Sequence, residues 1–205
     1  MLINRSVFLL VSVSALFLLS GCSSPVPITH YYTFHPQSFA NMPPAATAVP
    51  HIVAIDTFNA DVPYQQERIV FRTSPYEVNF YEYRKWLRPP TDLVTEQMYH
   101  ALRASGLFRD AQLSETGADY LLQGRIVMFE QWYEENQQAS TVHVGIRYAL
   151  MTADEERVVW TETIETSAKT PSLEILESIQ AFETALQQNI QRAIANMGLA
   201  FKQEQ

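Results

Sequence analysis

The chain has 205 residues, 47% of them hydrophobic, and a formal net charge of −8. This length and apolar content suffice for one domain with its own core. The acidic balance argues against nucleic-acid binding and against electrostatic attachment to anionic lipid. A single cysteine, Cys22, excludes an internal disulfide, so the core must supply the stability.

The N-terminal segment is typical of a secretory signal. One positive charge, Arg5, precedes an apolar run from Val7 to Leu19. That run fits a signal h-region of roughly 7–15 residues and falls short of the roughly 20 that span a bilayer. It leads into Leu19-Ser20-Gly21-Cys22, which resembles the lipobox of bacterial lipoproteins. An ordinary secretory signal with a chance cysteine, or a short anchor helix, are the alternatives.

The lipobox resemblance implies that residues 1–21 are a signal peptide and that Cys22 is the lipidation site. Its thiol would carry diacylglycerol and its amino group a further acyl chain such as palmitate. Each buried CH₂ contributes about 0.8 kcal/mol, so several chains make a permanent anchor. In the lipoprotein sorting pattern an Asp after the cysteine favours the inner membrane. Ser23 stands there instead, which predicts an outer-membrane lipoprotein facing the periplasm.

Residues 22–50 are predicted to form the lipidated N-terminus, a tether and a first short strand. The strand is Tyr31-Tyr32-Thr33-Phe34, and the segment from Phe39 to Pro50, rich in Pro and Ala, is predicted as an extended connector. If the strand joins the sheet, the free tether from Ser23 to His30 reaches roughly 25–30 Å. The domain would then sit close to its membrane.

Residues 51–205 are predicted to form one α+β domain. Its first strands are expected at His51 to Phe58, at Arg68 to Arg72 and at Val78 to Tyr83. The segment from Arg84 to Pro90 is expected to stop strand pairing, because proline has no N–H to donate to a ladder.

A first helix follows these strands. Thr91 is predicted as its cap, Asp92 is favourable near the positive end of the helix dipole, and Gly106 is placed to end it. Its core-facing positions at helical spacing are Val94, Met98, Ala101, Leu102 and Ser105. A short strand near Ala111 to Leu113 is expected next.

Three longer runs then predict an antiparallel meander. Tyr120 to Tyr133 is followed by Val142 to Met151, which has the clearest alternation of apolar and polar residues in the chain. A polar turn at Asp154-Glu155-Glu156 leads into the third run, Arg157 to Ser167. The connections between the runs are short, as in a meander.

The last element is a helix that begins at about Ser172 or Ser178 and runs to Met197, with Gly198 as its stop. One apolar stripe faces the core: Ile175, Ile179, Phe182, Leu186, Ile190, Ala193 and Met197. The predicted fold class is therefore α+β, a mainly antiparallel sheet with two helices packed on one face.

Several segments, in a fixed order, resemble one known family. They are Val62-Pro63, Arg68 to Arg72, Tyr81 to Pro90 with its Trp86-x-x-Pro-Pro motif, Leu93 and Leu102, and Ser105 to Phe108. With the early strand and the C-terminal helix, they are similar to the ABC-type transport auxiliary lipoproteins, the PqiC-like family. The resemblance covers nearly all of the chain after Cys22. One departure is Lys85, because the family often has Arg directly before the Trp.

The resemblance implies an auxiliary lipoprotein of an intermembrane lipid-transport system that supports envelope integrity. Its partners would be a periplasmic MCE-domain protein and inner-membrane transport components, either an ABC transporter or another integral membrane protein. The family has no known catalytic residues, so the resemblance assigns none. A homo-oligomer, the lipid cargo and the use of ATP are left open.

One segment, punctuated by proline, is rich in aromatic residues and is the candidate partner-binding surface. Aromatic side chains with a polar tip are enriched at protein interfaces. The candidates are Tyr64, Tyr76, Tyr81, Tyr83 and Trp86. The alternative is packing in the core: Trp86 and Tyr83 beneath the first helix, and also Tyr64 and Tyr76, although these two lie in turn-rich surroundings. Tyr64 and Tyr76 occupy no periodic core position, so their replacement by alanine is predicted to leave the fold intact and to weaken partner binding.

Motifs for catalysis or metal binding are not evident in the sequence. None of the five histidines has zinc-ligand spacing to another ligand, and His143 lies on the polar side of a strand. Nucleophile elbows and phosphate loops are missing, and the acidic pairs fall in turns. The sequence thus predicts neither an enzyme nor a cofactor. It favours an interaction module, with a lipid carrier as the alternative, which would need an apolar cavity of roughly 300 Å³ or more.

Overall fold

The computed structural model describes residues 27–35, 38–39, 42–46, 48–134, 138–154 and 157–203. In these residues it contains nine strands and two α-helices, and the predicted α+β class is confirmed. The strands are β1 (His30–Tyr32), β2 (Val49–Ile55), β3 (Asn59–Ala60), β4 (Arg68–Ser74), β5 (Glu77–Trp86), β6 (Phe108–Gln112), β7 (Tyr120–Tyr133), β8 (Ser140–Thr152) and β9 (Val158–Thr170). The helices are α1 (Pro90–Ser105) and α2 (Ile175–Gln203). The lipobox and Cys22 lie outside the described residues.

Strand β7 is the centre of one mixed sheet. Along one edge it pairs with β8, which pairs with β9, and both ladders are antiparallel as the predicted meander requires. Along its other edge β2, β3 and β4 follow one another, all parallel to β7. Strand β6 then pairs with β2, β5 with β4, and β1 with β5. The longest ladders are antiparallel, and the parallel ladders are short.

Both helices pack on one face of this sheet, and the core lies between the helices and the sheet. Helix α2 packs mainly against β8 and β9, while α1 packs against β6 and α2. The predicted alternation in β8 is confirmed, because every second residue from Val142 to Leu150 is fully buried. On α2, the predicted apolar stripe is buried from Ile179 to Met197, and Ile175 at its start is partly buried.

A buried asparagine ties α2 to the last two strands of the meander, β8 and β9. The amide nitrogen of Asn189 donates to the carbonyl of Ile164 at 2.7 Å, and its amide oxygen accepts from the Tyr148 hydroxyl at 2.7 Å. An unpaired polar group at this depth would be costly. The pairing therefore fixes the position of α2 along β8 and β9.

The start of the first helix differs from the prediction. Helix α1 begins at Pro90, with Pro89 and not Thr91 before the first turn. Proline is favourable at the first helical position, because the N–H that it lacks would have no partner within the helix. The predicted end is confirmed, since Gly106 adopts the left-handed conformation with φ of 62°.

Two further predictions about where elements end were wrong. Strand β5 does not stop before Arg84, because β1 pairs with it as far as Trp86. Helix α2 continues through Gly198 to Gln203. A Cβ atom at Gly198 would lie 3.3 Å from Leu107, so this glycine serves close packing and not termination.

The connector between β1 and β2 packs on the domain where it is described. Phe39 and Met42 are buried in the core. The backbone N–H of Ala45 donates to the carbonyl of Ser105 at 2.8 Å. The chain after β1 is therefore held along the helical layer.

The sheet has two distinct ends. We call one of them the hairpin end: there β4 turns into β5 at Pro75–Tyr76, β7 runs into β8, and β9 ends at Thr170. At the opposite end β7 and β9 begin and β8 ends. Roughly 40 Å separates the two ends along β8, at about 3.3 Å per residue.

Candidate functional site

Trp86 belongs to the core and not to the surface. Only 1% of the residue is exposed. Its ring centroid lies 5.4 Å from that of Phe34, 5.5 Å from Phe129 and 5.1 Å from Phe182. The structure thus supports packing in the core, and the ring that Trp86 meets on α2 is that of Phe182. A residue so enclosed offers no side-chain surface to a partner.

Tyr64 is also buried, with 4% of the residue exposed. It lies in a 3-10 turn, Val62–Tyr64, and its hydroxyl donates to Glu130 Oε2 at 2.5 Å. Burial raises the pKa of Tyr64 well above its ordinary value, and the hydrogen bond to Glu130 raises it further. The prediction that Tyr64→Ala leaves the fold intact is therefore corrected, because this side chain closes a buried polar cluster.

That cluster is centred on Glu130, which is almost fully buried in β7. Its other carboxylate oxygen accepts from Arg72 Nε at 2.8 Å and from Trp132 Nε1 at 2.7 Å. The Arg72 guanidinium also lies over the Trp132 ring, 5.5 Å from its centroid. Buried charges are stable when they are paired and hydrogen-bonded in this way. We assign the cluster a structural role on the sheet face opposite the helices.

Replacing Tyr64 by phenylalanine is expected to lower the free energy of unfolding by about 1–3 kcal/mol, because Glu130 would lose one donor while staying buried. Denaturant unfolding of the variant measures this. Tyr83→Phe is the matched control. The Tyr83 hydroxyl donates to its exposed neighbour Glu82 at 3.0 Å, and its loss should leave the unfolding curve unchanged. Equal curves for both variants would show that the hydrogen bond to Glu130 does not stabilise the fold.

His143 lies opposite Glu130 in the β7–β8 ladder, as a cross-strand residue. Its ring meets Trp132 edge to face, with the centroids 5.9 Å apart. Burial lowers the pKa of His143, while Glu130 and Glu165 act in the opposite direction. The described residues contain no group of three or more His, Cys, Asp or Glu side chains that could hold a metal ion.

Tyr81 is half-buried in a second polar cluster near the hairpin end. Its ring packs on Phe71, with centroids 4.6 Å apart, and its hydroxyl bonds Tyr133 and Gln131. Burial raises the pKa of Tyr81 well above its ordinary value, and the bond to Tyr133 adds to the effect. The Arg84 guanidinium covers the same ring at 5.3 Å. Part of this aromatic pair remains accessible.

Two of the five aromatic candidates are exposed. Tyr76, in the tight turn between β4 and β5, has 96% of its surface in solvent. Tyr83, on β5, is 36% exposed. The turn follows from Pro75, since proline fixes the φ angle that a tight turn needs at this position. Of the five candidates, Tyr76 and Tyr83 are thus accessible and Tyr81 is partly so, and the docking hypothesis stays a prediction.

The space between the sheet and the helices is filled by buried side chains, among them Phe129, Phe182 and Leu186. A groove of about 290 Å³ lies outside this core, between the connector and the C-terminal half of α2. Its wall includes Met42, Pro44, Ile194, Leu199 and Lys202. No helix in the described part of the chain is long and apolar enough to cross a membrane.

The described residues thus form an α+β domain with a filled core between the sheet and the helices. The chain belongs to the family described as the ABC-type transport auxiliary lipoprotein component, whose family model matches residues 32–195. This is a lipoprotein family of the bacterial envelope and not an enzyme family. The match confirms the family that the sequence motifs indicated. A comparison with curated proteins finds no match.

Solved structures share the fold. The crystal structure of protein XCC0632 from Xanthomonas campestris, of family DUF330, aligns with a TM-score of 0.71 at 21% identity, over 87% of this chain and 97% of that one. A second crystal structure, of an uncharacterised protein, aligns with a TM-score of 0.61 at 12% identity, over 85% and 99%. A dodecamer of a PelC variant from Paraburkholderia phytofirmans aligns with a TM-score of 0.49 at 15% identity, over 77% of this chain and 92% of that one.

Proposed function

We propose that this protein is an outer-membrane lipoprotein of an intermembrane lipid-transport system, and that it docks a periplasmic MCE-domain protein to that membrane. The single observation that supports this most strongly is the family match, which makes the chain an auxiliary component of a transport system. The partners would be the MCE-domain protein and inner-membrane transport components, and the location would be the outer membrane. The outer-membrane location depends on an acylated Cys22 that is followed by Ser23.

Two properties of the domain favour docking over a soluble carrier. The helix–sheet interface is packed with fully buried side chains, whereas a carrier would need an apolar cavity there. Exposed aromatic rings are available on the outer strands, where Tyr83 lies on β5 and Tyr31 pairs with Lys85 across the β1–β5 ladder. Interface energy is usually concentrated in a few aromatic or arginine side chains. We assign the docking surface to Tyr31, Tyr83 and Lys85.

Tyr83→Ala is expected to weaken binding of the MCE-domain partner about thirtyfold and to leave the thermal melt unchanged. The measurement is a binding titration with the full-length lipidated protein in detergent, beside a melt of each variant. Val158→Ala is the control, because Val158 is 54% exposed at the opposite end of the sheet. Unchanged binding by Tyr83→Ala with an unchanged melt would remove this surface as the docking site.

The groove of about 290 Å³ favours a second candidate, a lipid carrier that holds one acyl chain beside α2. Its volume lies at the lower limit of roughly 300 Å³ for small-molecule sites. Lipid extraction and mass spectrometry of the purified protein separate the two functions. A stoichiometric lipid in addition to the anchor would support the carrier; its absence would support docking.

A further inference from the structure

The direction of β1 decides where the membrane anchor leaves the domain. Strand β1 is parallel to β5, with His30 level with Arg84 and Tyr32 level with Trp86. Because β5 runs away from the Pro75–Tyr76 turn, the chain before His30 points back toward that turn. The N-terminal chain therefore leaves the domain toward the hairpin end.

The reach of the remaining chain matches the distance to that end. Lys85 pairs with Arg68, at the start of β4, and Ser74 closes the hairpin. The length of β4 places His30 about 20 Å or less from the hairpin end. The chain from Cys22 to His30 extends at most roughly 25–30 Å. Acyl chains on Cys22 would thus hold the bilayer surface at the level of the hairpin end.

Exposed apolar side chains collect at this end. Tyr76 protrudes from the turn between β4 and β5, and Val78 follows it. Leu173 and Leu176 lie just after the end of β9, at the start of α2, and Ile28 lies on the tether itself; all of them are exposed. Tyrosine is enriched where a protein meets the membrane–water boundary, because its ring is apolar and its hydroxyl stays hydrated.

We propose that the hairpin end rests on the bilayer surface, with the Tyr76 ring inserted among the lipid headgroups and Val78, Leu173 and Leu176 beside it. The inference rests on the proposed acylation of Cys22. It gives the domain an upright orientation, in which the hairpin end meets the membrane and the strands run away from it. The docking surface at Tyr31 and Lys85 then lies about 20 Å above the lipid, at about 3.3 Å per residue of β4. The opposite end, with Val158, points into the periplasm.

Charge does not dominate this contact. Glu77 is next to Tyr76 and Glu174 is next to Leu173. Lys169 lies one residue before the end of β9, and Arg72 is already paired with Glu130. Among these residues the unpaired acidic groups thus outnumber the basic ones, and they form no basic patch. We expect the contact to form on zwitterionic lipid and to change little with salt, unlike a polybasic patch.

A probe at position 76 tests the orientation. Full-length lipidated Tyr76→Cys and Val158→Cys are each labelled with an environment-sensitive fluorophore, since the thioether at Cys22 leaves no second thiol. Both are reconstituted into phosphatidylcholine vesicles, with and without nitroxide-labelled lipid. The probe at 76 is expected to shift to the blue and to be quenched, and the probe at 158 to do neither. Melts of both variants should match the wild type, because both positions are exposed.

The outcomes separate this inference from the proposed function. If both labelled proteins float with the vesicles but their probes at positions 76 and 158 show equal emission, the proposed orientation is wrong. The lipid anchor at Cys22 would still be supported. A blue shift of the probe at position 76 that occurs only when the MCE-domain protein is present would assign Tyr76 to docking. That result would also overturn the proposed orientation. If the proteins do not float with the vesicles, both the orientation and the proposed function are wrong, because no anchor would then hold the hairpin end at a membrane.

Discussion

Phe182→Ala is expected to lower the free energy of unfolding by about 3–5 kcal/mol. Phe182 is fully buried in the first third of α2. Its ring centroid lies 4.8 Å from that of Phe129 and 5.1 Å from that of Trp86, which it meets edge to face. Truncation removes apolar burial and leaves a cavity between rigid rings that cannot collapse into it. Denaturant unfolding with a common slope measures the loss.

Leu176→Ala is the matched control for this prediction. Leu176 lies on the same helix but is exposed, so its truncation should change the free energy of unfolding by about 0.5 kcal/mol or less. The small gain in helix propensity from alanine applies to both variants. A loss below 1 kcal/mol for Phe182→Ala would show that the stripe on α2 meets solvent or a partner instead of the core.

The sequence predicted features that depend on neighbouring residues better than features that depend on contacts between distant segments. The alternation in β8 and the stripe on α2 were predicted correctly, because a local period reports which side of an element is buried. The parallel pairing of β2, β3 and β4 with β7 was not predicted, since it joins segments far apart in the chain. Gly124 shows the same limit: Phe58 packs over it and leaves no room for a Cβ atom, and no local pattern indicates this.

The candidate aromatic residues divide in the same way. Tyr76 follows a proline in a turn, and its exposure agrees with that local signal. Tyr64 also follows a proline, yet it is buried, because its hydroxyl finds Glu130 on a distant strand. Trp86 is enclosed by Phe34, Phe129 and Phe182, which come from three separate parts of the chain. Only the assembled fold distinguishes such residues from surface anchors.

Loss of the anchor is the largest functional effect that we predict, and Cys22→Ser tests it. Lipid transfer requires a thiol that attacks the diacylglycerol donor, and a serine hydroxyl is a much weaker nucleophile. Cys22 is the only cysteine in the chain, so no other side chain can substitute. We expect an unprocessed precursor that incorporates no palmitate and does not fractionate with the outer membrane. A single acyl chain would bind only marginally, so partial modification would also give release.

Two controls make the result for Cys22→Ser specific. The thermal melt of the folded domain should be unchanged, because position 22 lies outside the region that matches the family, residues 32–195. Ser23→Asp should keep palmitate incorporation but move the protein to the inner membrane, as the lipoprotein sorting pattern implies. If Cys22→Ser still incorporated palmitate and partitioned with outer membranes, the lipobox interpretation would be wrong. The tether, the upright orientation and the outer-membrane address would then lose their common basis.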